Sequence, residues 1–159
     1  MRTLPYIAVA FSRAAGWRGS WITVSPRTLK STLLEGAGLM PAKRILVIED
    51  EADLRLLMAH SLRTVGYDVD VAATADEASR RLDVQFYGVV VADWRLPDGD
   101  GIELADRAAR LGAKTLIVSG YLFMLPPTAT ARHEVMMKPV RPGELAAAIR
   151  RAIGSANDP

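Results

Sequence analysis

The chain has 159 residues, of which 50% are hydrophobic and 24% charged, with a net charge of +2. That is enough apolar material for one domain of ordinary size and excludes disorder throughout. Cysteine is absent, which excludes disulfides, thiolate zinc sites and cysteine nucleophiles and fits a reducing compartment; no apolar run approaches the roughly 20 residues a membrane helix needs.

The charge is uneven. Residues 1–39 carry Arg2, Arg13, Arg18, Arg27 and Lys30 against Glu35 alone, a balance of +4, so the remainder balances at −2. The basic surplus belongs to the N-terminal segment, and five scattered basic residues are no nucleic-acid footprint. Gly, Ser, Thr and Pro interrupt its short apolar patches, and no period holds. Residues 4–11 resemble the apolar part of a secretion signal, but one Arg precedes them and no cleavage region follows. A basic, acid-poor tail also suits a membrane surface or an acidic partner. Residues 1–42 are read instead as an N-terminal extension, disordered or preceding a later start at Met40.

From residue 43 the pattern is regular. Residues 44–48 are a short β-branched run, the signature of a buried strand. Residues 52–65 read as an amphipathic helix with Leu54, Leu57, Met58, Ser61, Leu62 and Val65 on one face, closed by Gly66 at C′. Residues 67–72 read as a strand, and Thr74-Ala-Asp-Glu77 as a capping box opening a helix through Leu82. A strand follows at 87–92, a helix at 101–111 stopped by Gly112, and strands at 114–118 and 133–137. The last helix, 141–153, has an Ala-rich face and leaves 154–159 as a tail. Residues 121–132 hold Pro126 and Pro127, so the fourth helix is expected to be short or irregular. Five strands alternating with helices predict an α/β fold, a doubly wound parallel sheet with right-handed crossovers over residues 43–153.

The carboxyl ends of parallel strands share one rim, where such sheets place their chemistry. Glu49, Asp50, Asp93, Ser119 and Lys138 all stand at strand ends. Clustered carboxylates need a cation, and oxygen-only donors suit Mg²⁺ or Mn²⁺. Asp93 would then attack phosphorus as a nucleophile, with Lys138 as a fixed ammonium and Ser119 as a hydroxyl donor. Taken singly, each motif has a plainer use. Asp98-Gly-Asp-Gly101 makes a turn, Glu49-Asp-Glu51 makes a helix N-terminus, and the leucine stripe makes core. His60 reads as a surface residue, His133 as structural, and Trp94 as a pocket lid, a partner contact or packing.

Four motifs in order, Ile45-Leu-Val-Ile-Glu-Asp-Glu51, Asp93-Trp-Arg-Leu-Pro-Asp-Gly-Asp-Gly101, Val118-Ser-Gly120 and Lys138-Pro139, resemble the receiver domain of bacterial two-component response regulators. The resemblance implies a flavodoxin-like sheet of order 2-1-3-4-5. It implies Asp93 as phosphoacceptor, Asp50 as a direct metal ligand, Glu49 as a ligand through water, and the Arg95 carbonyl as a further ligand. Ser119 matches the switch hydroxyl, Lys138 the pocket lysine, and Pro139 a following proline often joined by a cis bond. Arg95 and Tyr121 match positions that tune dephosphorylation. Leu54, Leu57 and Pro139 match the surface where a histidine kinase or histidine phosphotransfer protein docks. The family's switch aromatic is Val135 here, which puts the usual output face in question.

The expected function is therefore a stand-alone cytoplasmic receiver. It would accept a phosphoryl group on Asp93 with Mg²⁺, and signal by contact with a downstream protein or shuttle phosphate. It would not be a turnover enzyme, and no nucleic-acid or membrane partner is expected. The alternative is a receiver-like adaptor that binds partners without phosphorylation. A phosphatase would want a second acid two residues after the nucleophile, where Arg95 stands, and no G-x-G-x-x-G or P-loop occurs for a nucleotide.

Overall fold

The computed structural model describes residues 43–154 and two short strands, Ile7–Ala8 (β1) and Thr23–Val24 (β2), which pair antiparallel. The chain divides into two units between Met40 and Pro41. Apart from those two strands, the extension expected at 1–42 lies outside the described residues, as does the tail expected at 154–159 beyond Gly154, which ends the last helix.

The second unit follows the expected alternation. Its elements are β3 (Arg44–Ile48), α1 (Ala52–Thr64), β4 (Asp68–Ala72), α2 (Ala75–Val84), β5 (Val89–Asp93), a small hairpin of β6 (Arg95–Leu96) and β7 (Gly99–Asp100), α3 (Gly101–Arg110), β8 (Lys114–Ser119), a 3₁₀ turn (Leu122–Met124), α4 (Pro127–Arg132), β9 (Glu134–Met137) and α5 (Pro142–Gly154). The main sheet runs β4-β3-β5-β8-β9 with every neighbouring pair parallel, which is the order 2-1-3-4-5.

Side chains alternate across a strand, so each buried strand feeds two core layers. Leu46, Ile48, Val90, Ala92 and Ile117 join α2 and α3 through Ala78, Leu82, Leu104, Ala105 and Ala108. Ile45, Val47, Val89, Val91, Leu116 and Val118 join α1 and α5 through Met58, Leu62, Leu145 and Ile149. With helices on both faces, the three central strands β3, β5 and β8 have no solvent side, and their near-unbroken apolar runs follow.

Local signals place the helix ends. The Gly66 N–H bonds the Arg63 carbonyl at 3.0 Å and the Tyr67 N–H the Leu62 carbonyl at 3.2 Å, closing α1 in a Schellman motif with Gly66 at φ +95°. Gly112 closes α3 in the same way. Thr74 Oγ1 accepts the Glu77 N–H at 3.1 Å to open α2, while Glu77 reaches back to the Ala73 N–H at 2.9 Å.

One expectation changes, the α1 face, and the short fourth helix is as expected. The α1 core face is Met58, Ala59 and Leu62 with half-buried Leu54, while Leu57 and Val65 are about half exposed, at 49% and 51%. Ala59, which the expected stripe left out, is instead fully buried in the core cluster beneath α1. The fourth helix is short but real: Pro127 occupies its first position, where a missing N–H costs nothing. No helix among the described residues is long and apolar enough to cross a membrane.

Candidate functional site

The sheet register brings the expected residues to one rim. Ile48 pairs with Ala92, Asp93 with Val118, and Ser119 with Met137, so β3, β5, β8 and β9 end together. One further backbone bond, from the Lys138 N–H to the Ser119 carbonyl at 2.9 Å, carries the ladder past β9 and fixes where Lys138 begins. The Lys138–Pro139 peptide is cis.

Lys138 Nζ donates to Asp93 Oδ2 at 2.8 Å and to Glu49 Oε1 at 3.0 Å. Glu49 Oε2 lies 2.9 Å from the same nitrogen, but off the axis of any hydrogen bond, and stays a buried acceptor without one. Glu49 is 1% exposed, while Asp50 is exposed and Asp93 half-buried. Carboxylate oxygens of Glu49, Asp50 and Asp93 lie within 4.8 Å of one another. Oxygens around a cation such as Mg²⁺ sit about 3–4 Å apart at bonds of about 2.0–2.1 Å, a spacing these side chains reach by small rotations. The donor set is all oxygen, so the residues fit a hard divalent ion.

Burial raises the Glu49 carboxyl above its ordinary range; the Lys138 bond opposes this, and the Asp93 charge adds to it. For Lys138, burial lowers the ammonium, but hydrogen bonds to Asp93 and Glu49 outweigh it and the net shift is upward. The site thus holds a firmly charged ammonium against a reluctant carboxylate. Because the folded Glu49 binds its proton more tightly than the unfolded chain, its contribution is fully favourable below about pH 4.5 and is lost as pH rises through the folded value. Lys138→Met removes the opposing ammonium and strengthens this trend. The variant is expected to lose about 1–3 kcal/mol at pH 7.5, and to regain much of it near pH 5 relative to the wild type. Urea denaturation at the two pH values checks this.

The loop after Asp93 is held from three sides. The β6–β7 hairpin turns at Pro97-Asp98. The Asp98 carboxylate accepts from the N–H groups of Ala75 at 2.8 Å and Asp76 at 3.0 Å, at the start of α2, and these bonds hold its pKa low. Asp100 caps α3 by accepting the Ile102 N–H at 2.7 Å. Gly101 donates to the Trp94 carbonyl at 2.8 Å, and its Cα sits against the Asp93 carbonyl, where no side chain fits. The Arg95 guanidinium lies 4.5 Å from the Trp94 ring centre and 5.8 Å from that of Tyr121. Buried Ser119 accepts the Tyr121 N–H on its Oγ at 3.0 Å.

The comparisons with known proteins agree with this geometry. A family model described as the response regulator receiver domain matches residues 45–150. The chain belongs to the response regulator receiver domain family. Its curated relatives include the response regulator receiver protein CpdR of Brucella abortus (strain 2308), 32% identical over 102 residues, which are 61% of this chain and 85% of that protein. The phosphate regulon transcriptional regulatory protein PhoB of Rhizobium meliloti (strain 1021) is 39% identical over 64 residues, 40% of this chain but only 28% of that protein. The match therefore spans less than a third of that longer relative. A CheY-like receiver from Methanospirillum hungatei JF-1 superposes with a TM-score of 0.64 at 30% identity, covering 71% of this chain and 94% of that one. The response regulator TrrA from Thermotoga maritima, solved in complex with Mg²⁺ and BeF, gives 0.63 at 27% identity, covering 69% and 98%.

Receiver domains as a family are phosphoacceptor signalling modules rather than conventional enzymes. The chain's remaining expected positions fall as follows. Leu54 is half-buried, Leu57 and Pro139 are exposed, and Val135 packs half-buried against the core. His133 is structural: its ring bonds Asp106 Oδ1 through Nε2 at 3.0 Å and Thr115 Oγ1 through Nδ1 at 2.7 Å. Sequence reasoning missed Arg55, whose Nη1 donates to the carbonyls of Glu49 at 2.7 Å and Asp50 at 3.0 Å. The available signal was a basic residue in the first turn of a helix, the end that favours acids. It also missed Asp98, whose partners lie 22 and 23 positions away.

Proposed function

We propose that Asp93 is the phosphoacceptor of a Mg²⁺-dependent receiver, with Glu49, Asp50, Asp93 and the Arg95 carbonyl as cation ligands. The donor is a phosphohistidine on a histidine kinase or histidine phosphotransfer protein, met by the exposed edge of α1 at Leu54 and Leu57 together with Pro139. An Asp93 carboxylate oxygen forms the new O–P bond as the N–P bond of phosphohistidine breaks, and the imidazole keeps the electron pair and takes up a proton. Bound Mg²⁺ offsets charge on the phosphoryl oxygens. Lys138 holds Asp93 in place and faces the same charge, and the Ser119 hydroxyl, now taken by the Tyr121 amide, is the donor that follows the phosphoryl group. Arg95 and Tyr121 flank the pocket and set how long the acyl phosphate survives. The phosphorylated state then acts by protein contact or passes the group on.

The observation that carries this reading is Lys138 bridging Asp93 and Glu49 in a cluster of three acids. The relative solved with Mg²⁺ and BeF supports the choice of ion. Half-buried Val135, at the position the family resemblance assigns to a switch aromatic, favours a second reading, an adaptor that works without phosphorylation. Incubation with a small phosphodonor and Mg²⁺, followed by intact mass and peptide mapping, separates the two. The expected result is one hydroxylamine-sensitive phosphoryl group on the peptide holding Asp93, lost when Mg²⁺ is chelated. An unlabelled wild-type protein would sink the phosphoacceptor reading and leave the adaptor.

A further inference from the structure

We infer that Arg55 is a positioning residue for the cation site, holding the corner that carries Glu49 and Asp50. This rests on the proposed reading of those acids and Asp93 as cation ligands. Arg55 lies in the first turn of α1, its N–H bonded to the Glu51 carbonyl at 2.9 Å. A cation there meets the positive end of the helix dipole, so local preference argues against it. Helical side chains lean toward the N-terminus, and this one continues past the start of its own helix. Its half-buried Nη1 gathers two consecutive carbonyls, Glu49 at 2.7 Å and Asp50 at 3.0 Å.

Those carbonyls belong to the two residues whose side chains face the cluster. Pulling both toward one donor fixes the peptide planes on either side of Asp50. Behind them, the Glu49 N–H is tied to the Ala72 carbonyl at 3.1 Å. The sharp bend from β3 into α1 is thus clamped at each end, and the α1 N-cap, Glu51, makes no side-chain capping bond that would do this instead. Across exposed Asp50 the Glu51 N–H also reaches Glu49 Oε1, but at a long 3.4 Å.

A guanidinium beside a cation site has two effects of opposite sign. Through space it repels the cation, and through the carbonyls it aligns the ligands. Groups that orient ligands without touching the metal typically change affinity by about 10–100-fold when removed, so alignment is expected to win.

The test is Mg²⁺ titration calorimetry on the full chain, with Mg²⁺ alone as the probe. Arg55→Met is expected to weaken binding about tenfold, the low end of that range. Arg55→Lys, which keeps an ammonium able to reach the carbonyls, recovers most of the loss. The Mg²⁺ concentration for half-maximal phosphorylation shifts in the same ratio, and most of the lost rate returns at saturating Mg²⁺. Arg55→Gln, neutral and too short to reach either carbonyl, serves as a second variant should the Met protein not fold. Unchanged or tighter Mg²⁺ binding in Met or Gln variants, with a binding wild type, overturns the positioning role alone. A wild type that binds no Mg²⁺ overturns it together with the cation-site reading.

Discussion

Asp93→Asn is expected to abolish phosphoryl transfer from a small donor while leaving the fold standing. The carboxamide is almost isosteric but carries no anionic oxygen to attack phosphorus, so the nucleophile disappears rather than weakens. Stability should change by less than about 1 kcal/mol, because two effects oppose each other. The Lys138 ammonium loses a charged partner at 2.8 Å but keeps Glu49 at 3.0 Å and an amide oxygen in reach. Glu49, in turn, loses the neighbouring charge that helps to raise its pKa. Label incorporation, thermal unfolding and Mg²⁺ titration on the same sample read all three. A variant that folds and still takes label at the wild-type rate would move the acceptor elsewhere, with Asp50 the next carboxylate to replace.

Gly101→Ala is expected to damage the same site without touching any acid. A methyl at Gly101 would overlap the Asp93 carbonyl oxygen and come within 3.2 Å of the Trp94 Cα. The φ angle of Gly101 is not positive, so the obstacle is space, not dihedral preference. The obstructing atoms are backbone, and no rotamer change relieves them. Either α3 withdraws from the loop after β5, or Asp93 shifts away from Lys138. Overpacking of this kind costs about 1–3 kcal/mol or more, well above the small helix-propensity gain at a first-turn position. Urea denaturation should show that loss, and Mg²⁺-induced stabilisation should shrink with it. Gly143→Ala is the control, since a methyl there meets nothing within 4 Å.

The sheet was legible because its strands are continuous apolar runs ended by polar residues, and parallel strands must send those ends to one rim. That reasoning assembled Glu49, Asp93, Ser119 and Lys138 across ninety positions of sequence, from residue 49 to residue 138. What escaped was set by side chains reaching out of their own element. Arg55 turns back on its loop, Asp98 leaves a turn to cap a distant helix, and His133 finds Asp106 from 27 positions away. Periodicity describes which face a residue occupies, not where a long polar side chain ends. The α1 stripe failed for a different reason. Leu57 and Ala59 both border the buried arc, and which of the two is buried is settled by packing against the sheet, which the local pattern does not contain.

The polar group around Asp106 sets the mechanics of the segment between β8 and β9. Asp106 Oδ1 receives Arg132 at 3.1 Å and His133 at 3.0 Å, both at the C-terminal end of α4. His133 is tied onward to Thr115 of β8. That end of the segment is pinned to both α3 and the sheet. The opposite end carries Tyr121, Phe123 and Met124, exposed by 62%, 96% and 59%. The segment is therefore anchored at its His133 end by polar bonds and along its middle by buried Leu125 and Ala129. Its apolar side chains nearest Ser119 thus stand in solvent, while its far end is tied down.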